Sequence, residues 1–108
     1  MDVVLCPNTA TTSPKQLTTK TWGYTNIWNL LDYPAVTFPT GLFVDPVLDA
    51  AEFTGPPLNA LDEAVRFDYD PVSSSGHPIA LQLVGYRFDD EKTVAIARKL
   101  APSLGFAA

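Results

Sequence analysis

A chain of 108 residues has room for one domain, and folding at that size buries about two thirds of the unfolded surface, enough for a modest core. With a net charge of −5 and its seven basic residues scattered (Lys15, Lys20, Arg66, Arg87, Lys92, Arg98, Lys99), the chain has no electrostatic footprint for nucleic acid or an anionic membrane surface. No apolar run approaches the roughly 20 residues that span a bilayer, nothing resembles a signal peptide, and the single cysteine, Cys6, has no internal partner, so the expectation is a soluble, cytoplasmic protein.

In chain order, Asp2 to Cys6 (DVVLC) is a short apolar run stopped by Pro7 and Asn8, long enough for one buried strand. A buried parallel strand has sheet neighbours on both sides, and only Met1 precedes this one, a first hint that the sheet extends beyond the chain. Asn8 to Thr21 is rich in Thr, Ser and Pro without periodicity and reads as a surface loop. Next comes the most aromatic stretch, Trp22 to Pro39. Thr25 is a candidate N-cap, and Tyr24, Ile27, Trp28, Leu30 and Leu31 recur at helical spacing, predicting a short helix buried on most sides. Pro34 ends it, and Ala35 to Phe38 makes a strand closed by Pro39 and Gly41.

Residues 41–75 are long for a connection and hold four of the ten prolines, so they read as a loop-rich excursion, with Asn59 capping a brief helix over Ala60 to Phe67. Ile79 to Val84 then forms a strand that is almost continuously apolar. One face carries Ile79, Leu81 and Leu83 and the other Ala80, Gln82 and Val84, the pattern of a strand covered on both faces in a helix-flanked sheet. The last helix runs from about Asp90 to Ala101. Asp89, Asp90 and Glu91 lie at its N-terminus and Arg98 and Lys99 at its C-terminus, as the helix dipole favours, with Val94, Ala97, Leu100 and Ala101 as the packing face and Pro102 and Gly105 as stops. The fold class is α/β, with about three strands and two to three helices in one domain over residues 1–108.

No residue stands out as catalytic. His77 has no second histidine or clustered carboxylate at metal-ligand spacing, and a structural or solvent-exposed role outweighs a base. Cys6 has no nameable activating neighbour and reads as a buried free thiol. Ser73 to Ser75 beside Gly76 lack both a nucleophile elbow and a phosphate-loop lysine, so they read as loop residues. Asp68, Asp70, Asp89 and Asp90 read as caps and solvated charges. The aromatic segment could be core or could line an apolar pocket. Gln82, polar within an apolar strand, needs a partner from a neighbouring loop, because a buried amide without one costs about 1–3 kcal/mol.

Three blocks, Asp2 to Pro7, Trp22 to Pro39 and Gly76 to Lys92, together resemble the C-terminal end of the amidase signature family, particularly its fungal acetamidase-like branch. Val44 to Asp49 (VDPVLD) and Tyr69 to Pro71 (YDP) resemble the same branch. The pattern Tyr24, Thr25, Asn29, Leu31, Asp32, Tyr33 and Pro34 is similar to the fatty-acid amide hydrolases of that family. The resemblance implies a segment of a large mixed β-sheet covered by helices. It also implies hydrolysis of small-molecule carboxamides by a serine nucleophile, a second serine in a cis peptide and a lysine base, with no cofactor.

Those catalytic groups belong to a Gly/Ser-rich signature and an upstream lysine that this chain does not contain. Lys15, Lys20 and Ser73 to Ser75 do not match them, so no catalytic residue is carried over and the chain alone is expected to be inactive. Thr25 and Trp28 match a part of the fatty-acid amide hydrolases that contributes to the acyl-binding channel, and are the candidate substrate wall. Association with a missing N-terminal part is the expected partnership. The alternatives are a non-catalytic amidase-like scaffold that self-associates through exposed sheet edges, and a small-molecule binding domain built on the aromatic segment.

Overall fold

The computed structural model describes residues 1–104, and the six elements in that span run β1 (Val4–Pro7), α1 (Gly23–Leu31), β2 (Ala35–Phe43), α2 (Ala60–Asp68), β3 (Pro78–Val84) and α3 (Asp90–Ser103). The α/β class, with three strands and three helices among the described residues, is as expected from the sequence. The most apolar strand, β3, lies in the middle of the sheet order β1-β3-β2. Both neighbours run antiparallel to it. That corrects the expectation of a parallel first strand: the near-continuous apolar run reflects cover on both faces of β3, not strand direction.

The register explains the cover. Cys6 and Thr37 both stand opposite Gln82, so these three side chains form one row on one face. Leu5 and Val36 stand opposite Leu83 on the other face. The Leu83 face packs against α3, where Phe38, Leu83, Ala97 and Ala101 make the buried core with Val36, Leu81, Ile96 and Leu100 against it. The Gln82 face carries α1, as the contacts below establish.

β1 spans Val4–Pro7, displaced toward the C-terminus from the expected run. β2 continues past Pro39 and Gly41 to Phe43. Pro39 is tolerated because β2 is an edge strand of the described sheet and needs no donor on its outer side. The register then shifts between Pro39 and Phe43, where Gly41 takes a left-handed φ of 80°, a local irregularity of the bulge kind.

α1 differs most from expectation. Its N-cap is Trp22 with no side-chain cap bond, and the Thr25 hydroxyl instead donates to the Trp22 carbonyl at 3.0 Å. It stops where Asp32 turns left-handed (φ 56°) and Tyr33 N–H donates back to Trp28 O at 3.0 Å, one residue before Pro34. None of its residues is fully buried, and Leu30 is 80% exposed, so the predicted near-complete burial of this helix does not hold.

α2 begins where the sequence placed it, with Asn59 Oδ1 accepting from Asp62 N–H at 2.8 Å. The Arg66 guanidinium pairs with Asp62 and stacks 5.1 Å from the Phe53 ring centre, and Phe53 meets Tyr69 edge to face, folding the excursion on itself.

α3 runs through Pro102 to Ser103. A proline in the last turn removes one helical bond, and Leu104 N–H to Leu100 O and Ser103 Oγ to Lys99 O satisfy neighbouring carbonyls. The other expected stop, Gly105, lies outside the described residues. The buried stripe is Thr93, Ala97 and Ala101, while Val94 is partly exposed. The packing face is as expected at Ala97, Leu100 and Ala101, but Thr93 takes the place expected for Val94, because its hydroxyl is satisfied on Asp89 O at 2.7 Å and it can be buried.

Candidate functional site

The polar row on β3 organises the site. Gln82, 4% exposed, uses its amide nitrogen to donate to Pro7 O at the end of β1 (2.8 Å) and to Tyr24 O in the first turn of α1 (2.6 Å). The sequence required a partner for this amide, and the structure supplies two from distant segments. One helical turn beyond Tyr24, Trp28 comes down over the same face.

The Cys6 thiol sits beside both the Gln82 amide and the Trp28 indole. Burial pushes its pKa up, against the opposing pull of those two donors. The thiol therefore stays protonated near neutrality, and Cys6 is a poor nucleophile. Trp28 Nε1 is itself buried without a hydrogen bond of ordinary geometry, leaving the soft sulfur as its polar neighbour.

Trp28 stacks nearly parallel to Tyr33 (14°, ring centres 6.4 Å apart), and Tyr33 meets Tyr86 edge to face at 5.5 Å. With Val84, Gly85 and the first four residues, these aromatic rings line a cleft of about 370 Å³. That is within the range of small-molecule sites, and the apolar lining suits an acyl or aryl group. Trp28, a candidate wall residue through the resemblance, is among the residues that line this cleft. Thr25 is exposed, is not among the residues lining the cleft, and keeps its hydroxyl on Trp22 O. Tyr86 and the N-terminal residues, which also line the cleft, are not among the sequence candidates. Their signal was faint: one aromatic residue just past the glycine that ends β3.

The remaining candidates are structural. His77 is exposed, and its backbone is tied to Val44 and Ser74. Ser74 is buried with its hydroxyl between Thr12 Oγ1 and Asp70 O, and Ser73 Oγ also donates to Asp70 O. Lys15 pairs with Asp70 at 2.9 Å and Lys20 with Asp68 at 2.8 Å, pinning the threonine-rich loop to the excursion. The crevice between them, about 30 Å³, has room for about one water. Among the described residues no cluster of three or more His, Cys, Asp or Glu could hold a metal ion. No helix there is long and apolar enough to cross a membrane.

The amidase family profile matches residues 1–94. The chain belongs to the amidase family. It is 41% identical over 104 residues to a protein of Schizosaccharomyces pombe named as a presumptive amidase, C550.07, covering 96% of this chain and 19% of that protein. It is 32% identical over 105 residues to an acetamidase of Aspergillus oryzae, covering 97% of this chain and 19% of that one. A solved chain of fatty acid amide hydrolase superposes with a TM-score of 0.87 at 32% identity, over 97% of this chain and 19% of its own length. This amidase-family chain thus spans about a fifth of the length of the relatives it matches. The resemblance read from five short blocks holds over nearly the whole chain, and the α/β arrangement of strands and helices is that of a segment of the fatty acid amide hydrolase fold.

Proposed function

We propose that residues 1–108 supply part of the substrate wall of a cytoplasmic amidase that hydrolyses a small-molecule carboxamide to a carboxylate and ammonia or an amine. The carrying observation is the apolar cleft in which Trp28, over the Cys6–Gln82 row, stands with Tyr33 and Tyr86. In the reaction the family carries out, water's oxygen ends on the carbonyl carbon, the C–N bond breaks and the leaving nitrogen takes a proton. An activated nucleophile and a base are needed for that. In this reading both come from outside residues 1–108: Lys15 and Lys20 are held in ion pairs, Ser73 and Ser74 on backbone carbonyls, and Cys6 as a neutral thiol. The chain by itself is then inactive, and the cleft sorts acyl groups by size and polarity.

The test is a chain-length series of linear amides with a full-length amidase that carries these residues. Each methylene packed against the wall is worth about 0.8 kcal/mol, roughly fourfold in kcat/KM. Trp28→Ala is expected to flatten that gradient, with acetamide least affected. Thr25→Ala, whose hydroxyl is satisfied within the helix, should change it less. An unchanged gradient in Trp28→Ala would remove the basis for the wall, and hydrolysis by the 108-residue chain alone would refute the assignment of the chemistry to other residues.

A further inference from the structure

We infer that Gln82 is a positioning residue, the peg that fixes helix α1, and with it Trp28, over the sheet. Its consequence for acyl selection rests on the wall reading above, while the positioning itself does not. A nine-residue helix is marginal alone, and α1 has neither a side-chain N-cap nor a fully buried residue to anchor it. What ties its first turn to β3 is the Gln82 amide on Tyr24 O. In the regular i to i−4 pattern that carbonyl is also the acceptor of the Trp28 backbone N–H, so the peg acts one hydrogen bond away from the wall residue.

The same nitrogen also reaches Pro7 O, so β1, β3 and α1 are tied together at one point. An aliphatic side chain would fill a position in an apolar strand at lower desolvation cost. What it lacks is the two donors.

The experiment uses a full-length amidase carrying these residues, with 5-fluorotryptophan incorporated and the Trp28 ¹⁹F resonance assigned by its loss in Trp28→Phe. Gln82→Met keeps the length of the side chain and removes both donors. Gln82→Glu keeps the shape and sets a carboxylate against two carbonyls. The Trp28 resonance should move in both variants. In Gln82→Glu it should return toward the parent position as the pH is lowered and the protonated carboxyl donates again. The Cys6 thiol on that face stays neutral over the same range, its pKa being raised.

The ratio of kcat/KM for hexanamide to that for acetamide is expected to shift by about fivefold, the equivalent of one hydrogen bond, and to do so through KM. A Trp28 resonance that stays put in both variants overturns the inference, and so does a lowered melting temperature with resonance and ratio both unchanged, which would make Gln82 a stabilising tether only. A moved resonance with an unchanged ratio supports Gln82 as the peg and overturns the acyl-wall reading instead.

Discussion

Gly85 shows how tightly single residues set this packing. A Cβ built there would fall on Thr93 Oγ1 and within 3.2 Å of Thr93 Cβ. Thr93 cannot easily yield, being fully buried with its hydroxyl on Asp89 O, while Gly85 N–H holds Pro34 O at 2.9 Å. Gly85→Ala should therefore destabilise by about 1–3 kcal/mol through overpacking, and Thr93→Ala should recover part of that loss in the double variant. Denaturant unfolding of the four proteins of the cycle measures it; additive effects would show that the two side chains do not compete for the space. Nothing in the sequence distinguishes Gly85 from any glycine that ends a strand, because the competing group lies on the next helix. Gln82 was half legible. Its need for partners follows from an amide in an apolar strand, but the partners, Pro7 O and Tyr24 O, are backbone groups 75 and 58 residues away.

Among the elements, α2 was the most legible, since its cap and first-turn carboxylates are local signals. α3 was placed correctly and three residues of its packing face hold, while Val94 was preferred to Thr93 because hydropathy ranks it above a threonine that satisfies its own hydroxyl. The excursion of residues 41–75 read as loop, and what holds it was not readable: ion pairs and a hydroxyl contact from the threonine-rich loop, far earlier in the chain. These contacts make its stability depend on pH. The Asp70 carboxyl lies below its usual value, first through the Lys15 hydrogen bond and then through Ser73 N–H, and Asp62 does so first through Leu58 N–H, with Arg66 contributing. With folded values below the unfolded value of about 3.9, their stabilisation is complete above that pH and is lost as pH falls through the folded values. Melting temperature should be flat from pH 7 to about 5 and decline below about 4, and Asp70→Asn should flatten the decline while lowering the plateau. An acid slope identical in the variant would mean that Asp70 takes no part.

At the scale of the molecule, the two helices cover the sheet diagonally. α3 covers Phe38 and half-covers Val36 on one face, leaving Leu5 and Pro7 of β1 exposed on that same face. α1 half-covers Val4 and Cys6 on the other face and leaves Ala35, Thr37 and Pro39 of β2 exposed. The apolar alternation of β3 announced cover on both faces; it could not announce that each flanking strand is bare on one, because that depends on where the helices dock. The outer stripe of α1 is bare as well: Ile27, Leu30 and Leu31 are 40%, 80% and 38% exposed, at spacings that place them side by side. A family whose members are about five times longer has chain to spare for those surfaces. This predicts a context effect. Leu30→Ala in the 108-residue chain should leave stability within about 0.5 kcal/mol of the parent, since the side chain is solvated and alanine is the better helix former. In a full-length amidase carrying the segment, the same substitution should cost about 2–5 kcal/mol, as for a leucine lost from a packed interior. Urea unfolding in the two contexts reads the difference. Equal small effects in both would mean that the α1 stripe faces solvent in the larger enzyme too, and that the cover is needed elsewhere on the sheet.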